Sequence, residues 1–212
     1  GYTFDWNGYE PALATTGDFV WEPSSEELSF GADINTAWLY WNQNNQTVGN
    51  VTLGKATNTS GITLDVQPAD APGFAIGNSD LNFNGDLTVL GGQITLNKNV
   101  TASDTLLKAS ESIYVKADIT TSGGNVIVWS DSDGLGNANE RVSISNAAIT
   151  THGGGVWIGG SHGDHGQGST WIARDGSTVT VGDGYSFAGS STSLSYGSYI
   201  TNSTIDTSLS DG

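Results

Sequence analysis

Three histidines, His152, His162 and His165, fall within fourteen positions of one another, with Asp164 between the last two. Imidazole nitrogens with a neighbouring carboxylate are a donor set for zinc, nickel or copper, so His162 and His165 are transition-metal candidates. A second constellation is "DSDG" at 131–134, with Asn137, Asn139 and Glu140 downstream. Alternating carboxylates before a turning glycine make half of a calcium loop; calcium needs six to eight oxygens. Asp131, Asp133 and Asp164 are therefore calcium candidates, although neither the full helix-loop-helix spacing nor tandem calcium nonapeptides are present. "GGSHG" at 159–163 fits the Gly-x-Ser-x-Gly pattern around Ser161. That nucleophile needs a strand-to-helix turn and separately placed acid and histidine. No helix follows Ser161, and a glycine-rich loop is the preferred reading.

These residues must be positioned by something, and the chain's period says what. "ITTSGGNVIVWSDSDG" at 119–134 returns as "ITTHGGGVWIGGSHGD" at 149–164. One register of apolar residues runs Ile62, Leu81, Val100, Ile119, Ile149 and Val179; the steps are 19 residues, then 30. A second holds Leu87, Leu106, Val126 and Val156, and a third Ile94, Ile113, Val142 and Trp171. Three interleaved registers with one period predict three short strands per repeat, and the alternation in "ITLN", "IYVK" and "VSIS" is that of strands with one buried face. A single repeat cannot bury its apolar side; a stack can. The expected fold is all-β, a parallel β-helix of ~19-residue coils. These grow to ~30 residues where insertions at 130–141 and 160–170 should stack on one side, as a candidate binding face.

Residues 1–45 do not obey the period and hold half of the aromatic residues. They are expected to form an aromatic-rich N-terminal cap or irregular first coil, with 46–212 the β-helix proper. An aromatic glycan platform is the sharper alternative there.

Composition narrows the functions. The chain has 212 residues, 13% charged, a formal net charge of −16, thirty glycines, and neither cysteine nor methionine. Its six basic residues, Lys55, Lys98, Lys108, Lys116, Arg141 and Arg174, are scattered. Nucleic acid and anionic lipid both require clustered cations, so neither is an expected partner. No apolar run reaches the length of a membrane span, and no membrane insertion is expected. The chain reads as a segment of a longer protein.

"GGNVIVWSDSDG" followed by "ISNAAITTHGGGVWIGG" resembles the repeats of very large bacterial surface adhesins of the filamentous-haemagglutinin-like kind. "FVWEPSSEELSF" and "VGNVTLGKATNTSGITL", then "GGQITLNKNVTAS" and "LLKASESIYVKADITTSGG", resemble the stretch that precedes those repeats. The resemblance covers roughly residues 17–160. It implies a right-handed parallel β-helix, secretion to the bacterial surface, and attachment without catalysis. It carries over no catalytic residue.

The expected function is thus a stiff, secreted, adhesive rod that meets a glycan or cell-surface ligand. The alternative is a subunit that self-associates end to end into an extracellular filament. A polysaccharide-acting enzyme is a weaker reading. It would need paired carboxylates about 5–10 Å apart, and only Asp131 or Asp133 with Asp164 could supply them. Calcium is the one cofactor suggested. Five Asn-x-Ser/Thr sequons begin at Asn45, Asn50, Asn58, Asn99 and Asn202, as expected by chance in an Asn- and Thr-rich chain.

Overall fold

The structure, a computed structural model, describes residues 17–24, 27–39, 48–66, 80–133, 140–160, 169–172, 178–181, 192–193 and 197–208. These residues form a parallel β-helix of three sheets. In the third to fifth coils each turn of the helix contributes one strand to each sheet. The third coil is β6 (Leu87–Gly91), β7 (Ile94–Leu96) and β8 (Val100–Ala102); the fourth is β9 (Thr105–Ala109), β10 (Ile113–Val115) and β11 (Ile119–Thr121). The fifth is β12 (Val126–Ser130), β13 (Arg141–Ser145) and β14 (Ala148–Thr150). Earlier in the chain, β1 (Phe19–Trp21) and β2 (Ile34–Asn35) make the first coil, and β3 (Val51–Gly54), β4 (Ile62–Leu64) and β5 (Leu81–Asn82) the second.

Sheet 1 begins in the order β1-β3-β6-β9-β12-β15, where β15 is Val156–Gly160. Sheet 2 runs β2-β4-β7-β10-β13-β19, with β19 at Gly197–Thr201. Sheet 3 runs β5-β8-β11-β14-β20, with β20 at Thr204–Asp206. All of these neighbours pair in parallel, and alternate residues of each strand face one continuous apolar core that extends from Val48 to Ile200. Leu53, Ile94, Leu107, Val128, Ile144 and Ile158 are wholly buried in it. Each such side chain contributes about 1.5–3 kcal/mol through lost contact with water.

The repeated Ile-Thr-Thr phrase marks one corner of this prism. Thr121 and Thr151 turn inward, are fully buried, and donate their hydroxyls to the carbonyls of Gly124 (2.6 Å) and Gly154 (2.5 Å). A Cβ on Gly154 would lie 1.9 Å from the Gly124 oxygen, and one on Gly124 2.0 Å from the Ser103 oxygen. The phrase recurs because each copy closes its own turn with a threonine and lays glycine backbone on the coil beneath.

Several register positions differ from the sequence expectation. Ile62 pairs with Ile94, in sheet 2, rather than with the Leu81 register. Leu87 faces Thr105 rather than Leu106, so Thr105 points inward, 2% exposed, and Leu106 outward. The largest departure concerns Trp171 and Val179. Both belong to sheet 1, on β16 (Ser169–Ile172), which runs antiparallel beside β15, and β17 (Thr178–Val181), which runs antiparallel beside β16. The sheet 2 and sheet 3 positions after Val142 and Ile149 are taken instead by Ser198 and Ile205. The second insertion therefore spans residues 161–196, not 160–170, and the chain returns to register beyond it. Apolar residues at the right interval misled here, because a hairpin strand and a coil strand share the same alternation.

Candidate functional face and insertion corner

Two of the sequence-derived metal candidates are described. Asp131 follows β12 directly, is 4% exposed and sits at φ 49°. Its N–H donates to the Glu111 carbonyl at 3.0 Å, and that of Ser132 to the Ala109 carbonyl at 2.9 Å. The start of the insertion is thus laid along the turn of the coil below. Asp133 is exposed. Asp164, His162, His165 and Ser161 lie outside the described residues. Among the described residues no group of three or more His, Cys, Asp or Glu side chains could hold a metal.

His152 occupies the tight corner after β14, at φ 48°. It acts on Asp206, on β20, the strand next to β14 in sheet 3. The Asp206 carboxyl is held below the ordinary carboxylate value, first by the hydroxyl and then by the N–H of Ser208, the latter at 2.9 Å. Slight burial opposes this and the charge of His152 assists it. A carboxyl depressed on folding stabilises the fold above its unfolded value, and that contribution fades as pH falls through the folded value.

The acidic balance has a structural use that the sequence reading missed. The residue before each successive strand of sheet 1 offers Oδ1 to the backbone N–H of its counterpart in the next coil. Asp18 accepts from Asn50 (3.0 Å), Asn50 from Asp86 (2.9 Å) and Asp86 from Asp104 (3.2 Å). Asp104 accepts from Asn125 (2.6 Å) and Asn125 from Gly155 (2.9 Å). A shorter ladder precedes sheet 3, where Asn99 accepts from Asp118 and Asp118 from Ala148. These side chains satisfy N–H groups at corners where the parallel ladders are interrupted. The sequons at Asn50 and Asn99 are ladder members. That at Asn58 is 2% exposed, its amide bonded to the carbonyls of Ser60 and Leu90.

The outward faces of the three sheets differ in chemistry. Sheet 2 presents Asn35, Thr63, Thr95, Tyr114 and Ser143 in one row, and sheet 3 presents Asn82, Thr101, Thr120, Thr150 and Asp206. Sheet 1 presents Val20, Thr52, Thr88, Leu106, Ile127 and Trp157 in one row, and Leu90, Lys108 and Trp129 in a second. Val20 is 57% exposed; Leu90, Leu106, Ile127, Trp129 and Trp157 are half-buried. The Trp129 and Trp157 rings meet edge to face at 5.3 Å, and the Lys108 ammonium lies 4.6 Å from the Trp129 ring. Gly159, opposite Trp129 in register, leaves the space between them without a side chain. A signal for this face was present: "LTVLG", "TLLKA" and "VIVWS" carry apolar residues at both parities, the mark of a strand covered on two sides.

The insertions at 131–140 and 161–196 both leave at one corner, between sheets 1 and 2, whereas another long connection, 65–80, joins sheets 2 and 3 in the second coil. The third and fourth coils cross it with residues 92–93 and 110–112 alone; the fifth uses 131–140 and the sixth 161–196. No family model, curated protein or solved structure matches this chain. Fold and faces together define it as a parallel β-helix solenoid with one apolar side and two insertions that leave one corner on adjacent coils.

Proposed function

We propose that this chain is a structural and adhesive segment of a secreted bacterial surface protein, a stiff solenoid rod that presents its insertions for attachment to a glycan or another cell-surface ligand. The observation that carries the reading is the insertion corner. A rigid, fully packed scaffold holds two long segments on adjacent coils, and binding residues are disproportionately found on such segments. End-to-end growth into a filament is the weaker reading. The outer edge of β15 is occupied by antiparallel β16, and that of β19 by β18 (Thr192–Ser193), also antiparallel. Antiparallel β18 does not offer the parallel edge that another coil would need at sheet 2, whereas β17, antiparallel to β16, restores the coil direction at the described end of sheet 1.

The test replaces residues 161–196 with a turn like 110–112. The variant is expected to keep its β-rich circular dichroism while losing attachment to bacterial or host cell layers, measured beside the intact chain with and without EDTA. Sensitivity to EDTA would bring calcium into the account, at Asp131 and Asp133. Failure of the intact chain to attach at all would end the adhesive reading; undiminished attachment of the variant would move it away from this corner.

A further inference from the structure

We infer that the outward face of sheet 1 is a pairing surface for a second copy of this chain, so that two rods associate side by side. The inference does not depend on the adhesive reading. It rests on the contrast among the three faces, of which only sheet 1 lines up Leu90, Leu106, Ile127, Trp129 and Trp157. Outward aliphatic and aromatic residues at this density on a described sheet face are characteristic of an interaction site.

Charge selects the occupant. The chain carries −16 overall, which opposes association through most of its surface. The described outward positions of sheet 1 hold no carboxylate and one cation, Lys108, folded over Trp129. This is the side on which two such chains can approach with least repulsion. A glycan fits the face less well, because sugar recognition needs several convergent polar groups, and Thr52, Thr88 and Lys108 are the polar side chains in these two rows. Size is consistent with a weak, specific dimer. Strands of about 16 Å stacked at about 4.8 Å over the parallel coils and the added hairpin offer on the order of 500 Å² per partner. That totals on the order of 1,000 Å², the lower limit for a specific interface. Two such sheets would pack about 10 Å apart with aligned strands.

Sedimentation velocity of the intact chain tests this across a range of concentrations, at low salt and at about 1 M salt, where screening shortens to about 3 Å. The dimer fraction should rise with salt, since screening removes net repulsion and leaves apolar contact intact. Ile127→Glu should weaken pairing by at least about a hundredfold, because a charge would be buried without a partner. Thr120→Glu, on the polar face of sheet 3, should leave it unchanged. Because the chain has no cysteine, Ile127→Cys and Thr120→Cys provide a second measurement that tolerates small losses of stability. Mild oxidation should link the first into dimers and not the second. A chain that stays monomeric in high salt overturns the inference, as does equal cross-linking of the two cysteine variants. Retention of a monomeric chain on immobilised polysaccharide, lost in Trp129→Ala, would assign the face to a glycan and equally overturn it.

Discussion

Thr105 shows how far a single inward position can depart from its neighbours. It sits in the core row between Leu87 and Val126, 2% exposed, and its hydroxyl has no hydrogen-bond partner among the described residues. A buried hydroxyl without a partner costs about 1–3 kcal/mol relative to an apolar group of the same shape. Thr105→Val should therefore raise stability by about 1 kcal/mol, read as a higher urea midpoint at unchanged slope; a lower midpoint would mean that the hydroxyl is satisfied in solution. The same position explains a one-residue slip in reading the sequence. Leu106 is the more apolar of the pair and matches the period, yet it faces outward. Hydrophobicity alone assigns the larger apolar residue to the core, and it fails where the outer face is apolar as well. Residue chemistry was legible in "DSDG" only as far as its turn: Asp131 takes the left-handed conformation that Asp and Asn tolerate better than most residues.

At the scale of elements, the corners carry as much specification as the strands. Asp18, Asn50, Asp86, Asp104 and Asn125 each stand immediately before a sheet 1 strand and each hold the N–H of the coil above. Asp104→Ala should cost about 1 kcal/mol, the net worth of one hydrogen bond near the surface. Asp104→Asn keeps the acceptor and removes a charge stacked on Asp86, so it should equal or slightly exceed the wild type at low salt. Urea unfolding of the two variants separates the acceptor from the charge; equal losses would show that the carboxylate itself matters. The strands were legible because inward residues alternate strictly in "ITLN", "IYVK" and "VSIS". The ladders were not read, although an Asx residue before each of the first five strands of sheet 1 was visible, because a scattered acidic charge looks like general solubility. The extra corner residues Asn146 and Asn202, stacked at φ 53° and 48°, were likewise hidden in the difference between 29- and 30-residue steps. One added residue in the left-handed conformation lets the fifth and sixth coils turn without losing register.

The whole molecule is a rod with sides. Its period was readable because stacking imposes one spacing on every coil; its sidedness was not, because it resides in residues that the core does not need. The misplacement of Trp171 and Val179 belongs to this scale too, since only the return of β19 and β20 to their sheets shows where the sixth coil closes. That closure has a kinetic consequence. Strands β12 and β13 are brought together across residues 131–140, whereas β15 must find β19 across 161–196. About two doublings of the intervening chain add about 1 kcal/mol of closure entropy, and the sixth coil also needs a finished fifth coil to dock on. Refolding should therefore proceed as a fast phase that protects β9 to β14 and a slower one that protects β19 and β20. Pulsed hydrogen exchange would resolve the two, and simultaneous protection would show that the sixth coil takes part in the nucleus. The long insertion is in this sense a clock: it makes one end of the rod the last to set.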